Sequence, residues 1–257
     1  MPLRQARRRG RRFDPLAPLV AGGLLLAAWH FGVRLSGVPE SFLPSPWAVL
    51  TTLLEERAVL WESTLTTLTE TLSGVLLAVA SALLWALVLD RSRLLRRALT
   101  PYLVASQTVP IIVLAPLMLL WFGYGLLPKT LLVALFAFFP VVLSTLAGLD
   151  ATPPERRDLM RSYAATPWQT FRLLRLPGAL PSFFAGLRIT LTYSVTGAIF
   201  AEYVGGFSGL GILLQTAANA RAMPLVFAAV VVIALSSAGL VALVRVLEHL
   251  ITPWRFQ

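Results

Sequence analysis

Apolar residues recur along this chain in long blocks, separated by short stretches rich in proline, glycine or charge. The blocks run to about 20 residues. A helix of that length crosses roughly 30 Å of hydrocarbon and satisfies its own backbone hydrogen bonds. They are continuous rather than alternating, which is not the pattern of a membrane barrel. The reading is all-α: a polytopic membrane helix bundle of about six transmembrane helices, over 16–33, 65–89, 102–122, 130–149, 183–204 and 225–247. Pro110 and Pro116 fall within the third span and should kink or interrupt it. Between the first two spans, "GVPESFLPSPWAVLTTLLEE" is turn-rich and then amphipathic, with Pro46 opening a surface helix.

The long polar insert between spans four and five, residues 150–181, breaks the pattern. Thr152 and Pro153 read as a helix start, and Thr166-Pro167 repeats the signal, with threonine as N-cap and proline in the first turn. Leu176-Pro177 should close the second helix. The insert thus reads as a helix-turn-helix. Trp168, Phe171, Leu174 and Arg175 share one face of its second helix. Such a face suits either a helix resting on lipid, with arginine reaching to the headgroups, or a docking surface for a soluble partner. The two capped helices and the tight turn at 164–167 favour docking, but the residues alone leave both open.

Charge then orients the bundle. The chain carries a net +10 with only 13% charged residues, 57% hydrophobic residues and a mean hydropathy of +0.76. With the N-terminus inside, Arg4, Arg7, Arg8, Arg9, Arg11 and Arg12 lie in the basic arm 1–15. Arg91, Arg93, Arg96 and Arg97 fall in the next inner loop, then Arg156, Arg157, Arg161, Arg172 and Arg175, and finally Arg245 and Arg255. The outer side keeps only Arg34, Arg57, Lys129 and Arg221. This is the positive-inside pattern, and it accounts for the basicity without nucleic acid. Both termini and the polar insert are expected in the cytoplasm, and residues 16–257 form a single transmembrane domain.

The chemistry that the chain lacks narrows its class. There is no cysteine, so disulfides and thiolate chemistry are excluded. The single lysine, Lys129, sits in "PKT" and offers no phosphate-binding loop. His30 and His249 have no ligand partner at helical spacing, so no metal site is expected. "GGFSGLG" (205–211) is not a dinucleotide fingerprint, for no strand precedes it. Its Gly-Phe-Ser-Gly resembles the nucleophile motif of rhomboid intramembrane proteases, which would make Ser208 a nucleophile with His30 as its one conceivable base. Glycines turning the chain at a helix end explain the motif more simply.

"DLMRSYAATPWQTFRLLRLP" resembles the EAA loop of binding-protein-dependent ABC importer permeases, whose pattern is E-A-A-x3-G-x9-I-x-L-P. Asp158 stands at the glutamate, Ala164 at the glycine and Leu174 at the isoleucine, with Leu176-Pro177 in register. Leu159 and Met160 depart from the paired alanines. "SFLPSPWAVL", "TLTETLSGVLLAV" and "AEYVGGFSGLG" are similar to segments of permeases for nitrate, sulfonates, taurine and thiamine pyrimidine precursors. "LRSYAATPWQTFRLLRLPGALP" and "LRITLTYSVTGAIFAEYVGG" look most like the thiamine-precursor branch.

The resemblance implies a transport subunit of the bacterial inner membrane, not an enzyme, with no cofactor of its own. Its partners would be a second permease subunit (expected to be another copy), two cytoplasmic ATPase subunits that bind ATP and Mg, a periplasmic binding protein, and membrane lipid. Asp158, Arg161, Ala164, Ala165, Trp168, Phe171, Arg172, Leu176 and Pro177 would couple to the ATPase. If the turn at Ala164 required positive φ it would be strained, so a slightly different local geometry or a shifted turn is expected there. Ser106, Gln107, Thr108, Tyr193, Thr196 and Glu202 are candidates for the translocation pathway.

Overall fold

Three long helices build the centre because they carry small residues at helical spacing. In the computed structural model, which describes residues 16–255, α3 (Arg57–Arg91) buries Ala78, Ala82 and Ala86 completely. These pack in one cluster with Val133, Ala137 and Val141 of α6 (Leu126–Asp150) and with Leu191, Val195 and Ala198 of α9 (Leu176–Gly205). Lipid is as apolar as leucine, so helices in a bilayer gain by close approach rather than by hiding apolar surface. Gly148 shows how close: a Cβ there would meet the Ala179 carbonyl oxygen at 2.8 Å. Large side chains point outward instead, among them Leu76, Leu84, Leu120 and Leu250.

The remaining elements surround this centre. α1 (Leu16–Ser36) is almost wholly peripheral, and α2 (Pro46–Glu55) is capped by Ser45, whose hydroxyl accepts from the Ala48 amide at 3.2 Å. α4 (Arg93–Ser106) and α5 (Ile111–Phe122) follow α3, and α7 (Pro154–Ser162) and α8 (Pro167–Thr170) lie between α6 and α9. α10 (Leu210–Asn219) and α11 (Met223–Ile251) complete the chain, with a 3-10 turn at Pro253–Arg255. Among the described residues, five helical segments are long and apolar enough to cross a membrane.

As expected from Pro110, the third apolar block splits into α4 and α5 at 107–110, where that residue has no N–H to continue a helix. Pro116 lies inside α5 without ending it. Other local expectations are corrected. Pro177 does not end a helix. From Pro167 to Gly205 the chain is one continuous helical segment of 39 residues. A π-turn at Phe171–Arg175 precedes the proline, and the Leu176 amide donates back five residues to the Phe171 carbonyl. The wider turn relieves the clash that a proline ring makes with the preceding turn of an α-helix.

Thr152 does not cap α7. It is buried, its hydroxyl has no partner among the described residues, and Pro153 stands at the N-cap instead. Lys129, expected on an outer turn, lies in the first turn of α6 and is buried in an ion pair with Glu70 of α3. The basic arm 1–15 and residues 256–257 lie outside the described residues.

Candidate functional site

The hairpin of α7 and α8 is built by two cap structures. At the end of α7 the Ala165 amide donates to the Met160 carbonyl (3.0 Å) and the Ala164 amide to the Arg161 carbonyl (2.9 Å). This is the Schellman arrangement, which requires a left-handed residue at the position of Ala164. Ala164 adopts it, with φ of 54°. The turn is therefore not shifted, contrary to expectation, and an alanine carries the strain that glycine would avoid. α8 opens with a full capping box. The Gln169 amide donates to the Thr166 hydroxyl at 3.2 Å, and the Thr166 amide donates to the Gln169 side-chain oxygen at 2.8 Å.

Two arginine–carboxylate forks tie this end of the molecule together. Arg175 donates to both oxygens of Asp90 at the end of α3 (2.8 and 2.7 Å), and to the Leu149 carbonyl at 3.2 Å. Asp90 and Arg175 are mostly buried, with side chains 12% and 20% exposed. Arg96 forks onto Asp150 at the end of α6. Bidentate pairing fixes direction as well as distance.

Beside the first fork lies an open pocket of about 780 Å³, lined by Asp90, Arg91, Thr166, Trp168, Phe171 and Arg175 among others. Trp168 stacks on Phe171, with ring centroids 5.7 Å apart, and leaves 65% of its surface exposed. Leu174 and Arg175 are half-buried. Asp158 and Arg161 pair with each other on the solvent side of α7 at 3.0 Å, and Arg172 is exposed. Leu176 and Pro177 sit inside the continuous helix, and Ala165 in the turn is half-buried.

The candidate pathway residues separate. Ser106, Gln107 and Tyr193 line one pocket of about 390 Å³, together with Phe136 and Phe139 of α6. Thr108 and Thr196 are exposed but outside it, and the Thr108 hydroxyl donates to the Ala105 carbonyl at 2.7 Å. Glu202 is completely buried elsewhere. It accepts from the Thr67 hydroxyl at 2.6 Å and from the Gly211 amide, while the Leu210 amide donates to Thr67 Oγ1 at 2.9 Å. This network fastens the turn before α10 onto α3 and exposes no carboxylate to a passage. Ser208 lines a pocket with Glu70 and Lys129, whereas His30 lines a different one, so no nucleophile–base pair is assembled. Arg188 pairs with Glu248 of α11.

Asp90, Asp150, Phe136 and Phe139 were not singled out from the sequence. The first two offered one signal, each being an acidic residue closing an apolar block beside arginines. "FAFFP" offered only bulk.

Residues 74–256 match the family model described as binding-protein-dependent transport system inner membrane component. The riboflavin transport system permease protein of Chloroflexus aurantiacus is 39% identical over 90% of this chain and 87% of its own length. The formylaminopyrimidine transport permease protein of Halalkalibacterium halodurans is 33% identical, over 95% and 98%. The taurine transport system permease protein of Escherichia coli is 32% identical, over 90% and 86%. The fold is that of a crystal structure of an amino acid ABC transporter with histidines, with a TM-score of 0.63 at 18% identity, covering 79% of this chain and 97% of that one.

Proposed function

Because this chain belongs to the family of binding-protein-dependent transport system inner membrane components, we propose that it is the permease through which ATP-driven closure of two cytoplasmic ATPase subunits moves a planar nitrogen heteroaromatic solute inward. The family membership makes it a transport subunit and not an enzyme. It passes a small solute delivered by a partner binding protein. The finer reading concerns how this chain does so.

The coupling element is the α7–α8 hairpin, at the cytoplasmic face. The observation that carries this is the exposed Trp168, stacked on the half-buried Phe171, on a helix that runs without interruption into α9. An exposed aromatic ring backed by a second ring on a firmly tied helix is the anchor expected of an interface. Asp158, Arg161 and Arg172 surround it with charges that orient a partner. Coupling requires that the ATPase hold this face differently in its open and closed states, and a continuous helix carries that difference into the bundle. The pathway runs where α4 breaks, with α4 and α5 together making the sixth crossing. Two copies of the chain enclose it.

The solute reading rests on the relatives. Riboflavin and formylaminopyrimidine both contain a pyrimidine ring, and the permeases named for them are 39% and 33% identical to this chain. A thiamine pyrimidine precursor is the preferred solute. Taurine is the competing one, because its permease is nearly as similar.

Proteoliposomes holding the assembled transporter with its ATPase and binding protein test both parts. Trp168→Ala with Phe171→Ala should abolish uptake and release the ATPase during purification, while membrane insertion is kept. Normal co-purification would remove the hairpin from its role. ATP-dependent uptake of formylaminopyrimidine but not taurine is the expected selectivity, and the reverse would exchange the solute assignment.

A further inference from the structure

With α4 and α5 forming one crossing, as proposed above, the break between them falls at membrane depth. Gln107 stands ten residues after Arg97 and fifteen before Phe122, or about 15 Å and about 22 Å of helix. Non-helical backbone at such depth occurs only where it is buried in protein or borders a water-filled cavity. Here Gln107, Thr108, Val109 and Pro110 are all exposed. The break therefore faces a passage rather than lipid.

The pocket beneath it has a specific chemistry. Phe136 and Phe139 lie three residues apart on α6, and Ile189 and Tyr193 lie four apart on α9, so they form two facing walls. Tyr193 is 55% exposed. Pro140, also in the wall, has no N–H to give the Phe136 carbonyl. Among the described residues, neither the Gln107 side-chain amide nor the Tyr193 hydroxyl makes a hydrogen bond within the chain, whereas the Gln107 backbone N–H donates to the Val104 carbonyl at 3.2 Å. No residue lining the pocket carries a charge. A sulfonate or nitrate entering it would lose water and meet no cation. A flat ring would find aromatic faces to stack on and polar groups for its edge. The volume of about 390 Å³ lies within the range of small-molecule sites.

We propose that this pocket is a transit site for a planar nitrogen heteroaromatic ring, stacked against Phe136, Phe139 and Tyr193 and read along its edge by the Gln107 amide. This rests on the heteroaromatic importer reading and adds where the ring pauses.

The test uses the full-length chain in nanodiscs with riboflavin as the probe, since stacking on aromatic side chains quenches flavin fluorescence. Wild type should quench it saturably, and formylaminopyrimidine, not taurine, should compete. Phe136→Leu and Tyr193→Leu should each weaken binding about tenfold, as loss of a stacking ring does elsewhere. Phe136→Tyr should retain it, and Gln107→Leu should weaken it about fivefold. Leucine keeps apolar bulk, so lost binding with an unchanged gel-filtration profile reports the ring. Unaltered affinity in all these variants would overturn the site, even with heteroaromatic uptake intact. Taurine uptake with no heteroaromatic uptake in the proteoliposome assay would instead overturn the reading beneath it.

Discussion

Ala164 holds a left-handed conformation that an L-residue enters at a cost of about 1–2 kcal/mol. Its side chain is exposed in the turn. Ala164→Gly should raise the thermal midpoint of the solubilised protein, by a stabilisation of about 1 kcal/mol, and a lowered midpoint would mean that the methyl packs on something. Arg175 presents the opposite case. Its fork to Asp90 and its bond to Leu149 need a planar, three-way donor, which lysine lacks. Arg175→Ala should cost about 3 kcal/mol, because it strands a mostly buried carboxylate, and Arg175→Lys should recover only part of this in chemical denaturation. Local geometry that depends on short spacing was readable in the sequence: the Thr166 cap and the shared face of Trp168 and Phe171. Asp90, Glu70 and Lys129 were not, because their partners lie 85 and 59 residues away. Those pairs exist only once three helices have packed.

At the scale of elements, the joint between hairpin and span decides how motion travels. A proline after a polar helix reads as a stop, and Pro177 would have been one in an α-helix. The π-turn at Phe171–Arg175 turns it into a through-connection. That device leaves no periodic mark in five residues, which is why the boundary was misplaced. It also makes the joint vulnerable. Deleting Gly178, in the α-helical chain just past the π-turn, should rotate the hairpin by about 100° relative to the rest of α9. The variant should still insert and bind lipid, yet stimulation of ATP hydrolysis by loaded binding protein should vanish. Retained stimulation would show that the hairpin and α9 need no fixed phase. The break in α4–α5 was foreseen from Pro110, since a missing N–H is visible in any sequence.

For the whole molecule, small residues at the α3–α6–α9 contacts and large ones outside follow from a solvent that cannot drive helices together by hydrophobicity. Gly148→Leu places a side chain against the Ala179 backbone, which cannot step aside. It should lower stability by about 3 kcal/mol or prevent assembly, whereas Leu84→Ala on the exposed face of α3 should change the thermal midpoint little. The apolar blocks pointed directly to an all-α bundle of long apolar helices, and the side chains that line its pockets did not follow from them. That Phe136 and Tyr193 line one pocket is a property of how α6 and α9 cross.

The claim on which the mechanism depends is that the hairpin meets the energy source inside the cell. The chain has no cysteine, so a single introduced thiol reports its own side of the membrane. In cells carrying Trp168→Cys, a membrane-impermeant maleimide should leave the protein unlabelled until the inner membrane is permeabilised, and label it fully afterwards. Labelling in intact cells, with the inner membrane sealed, would put the hairpin outside and contradict the account.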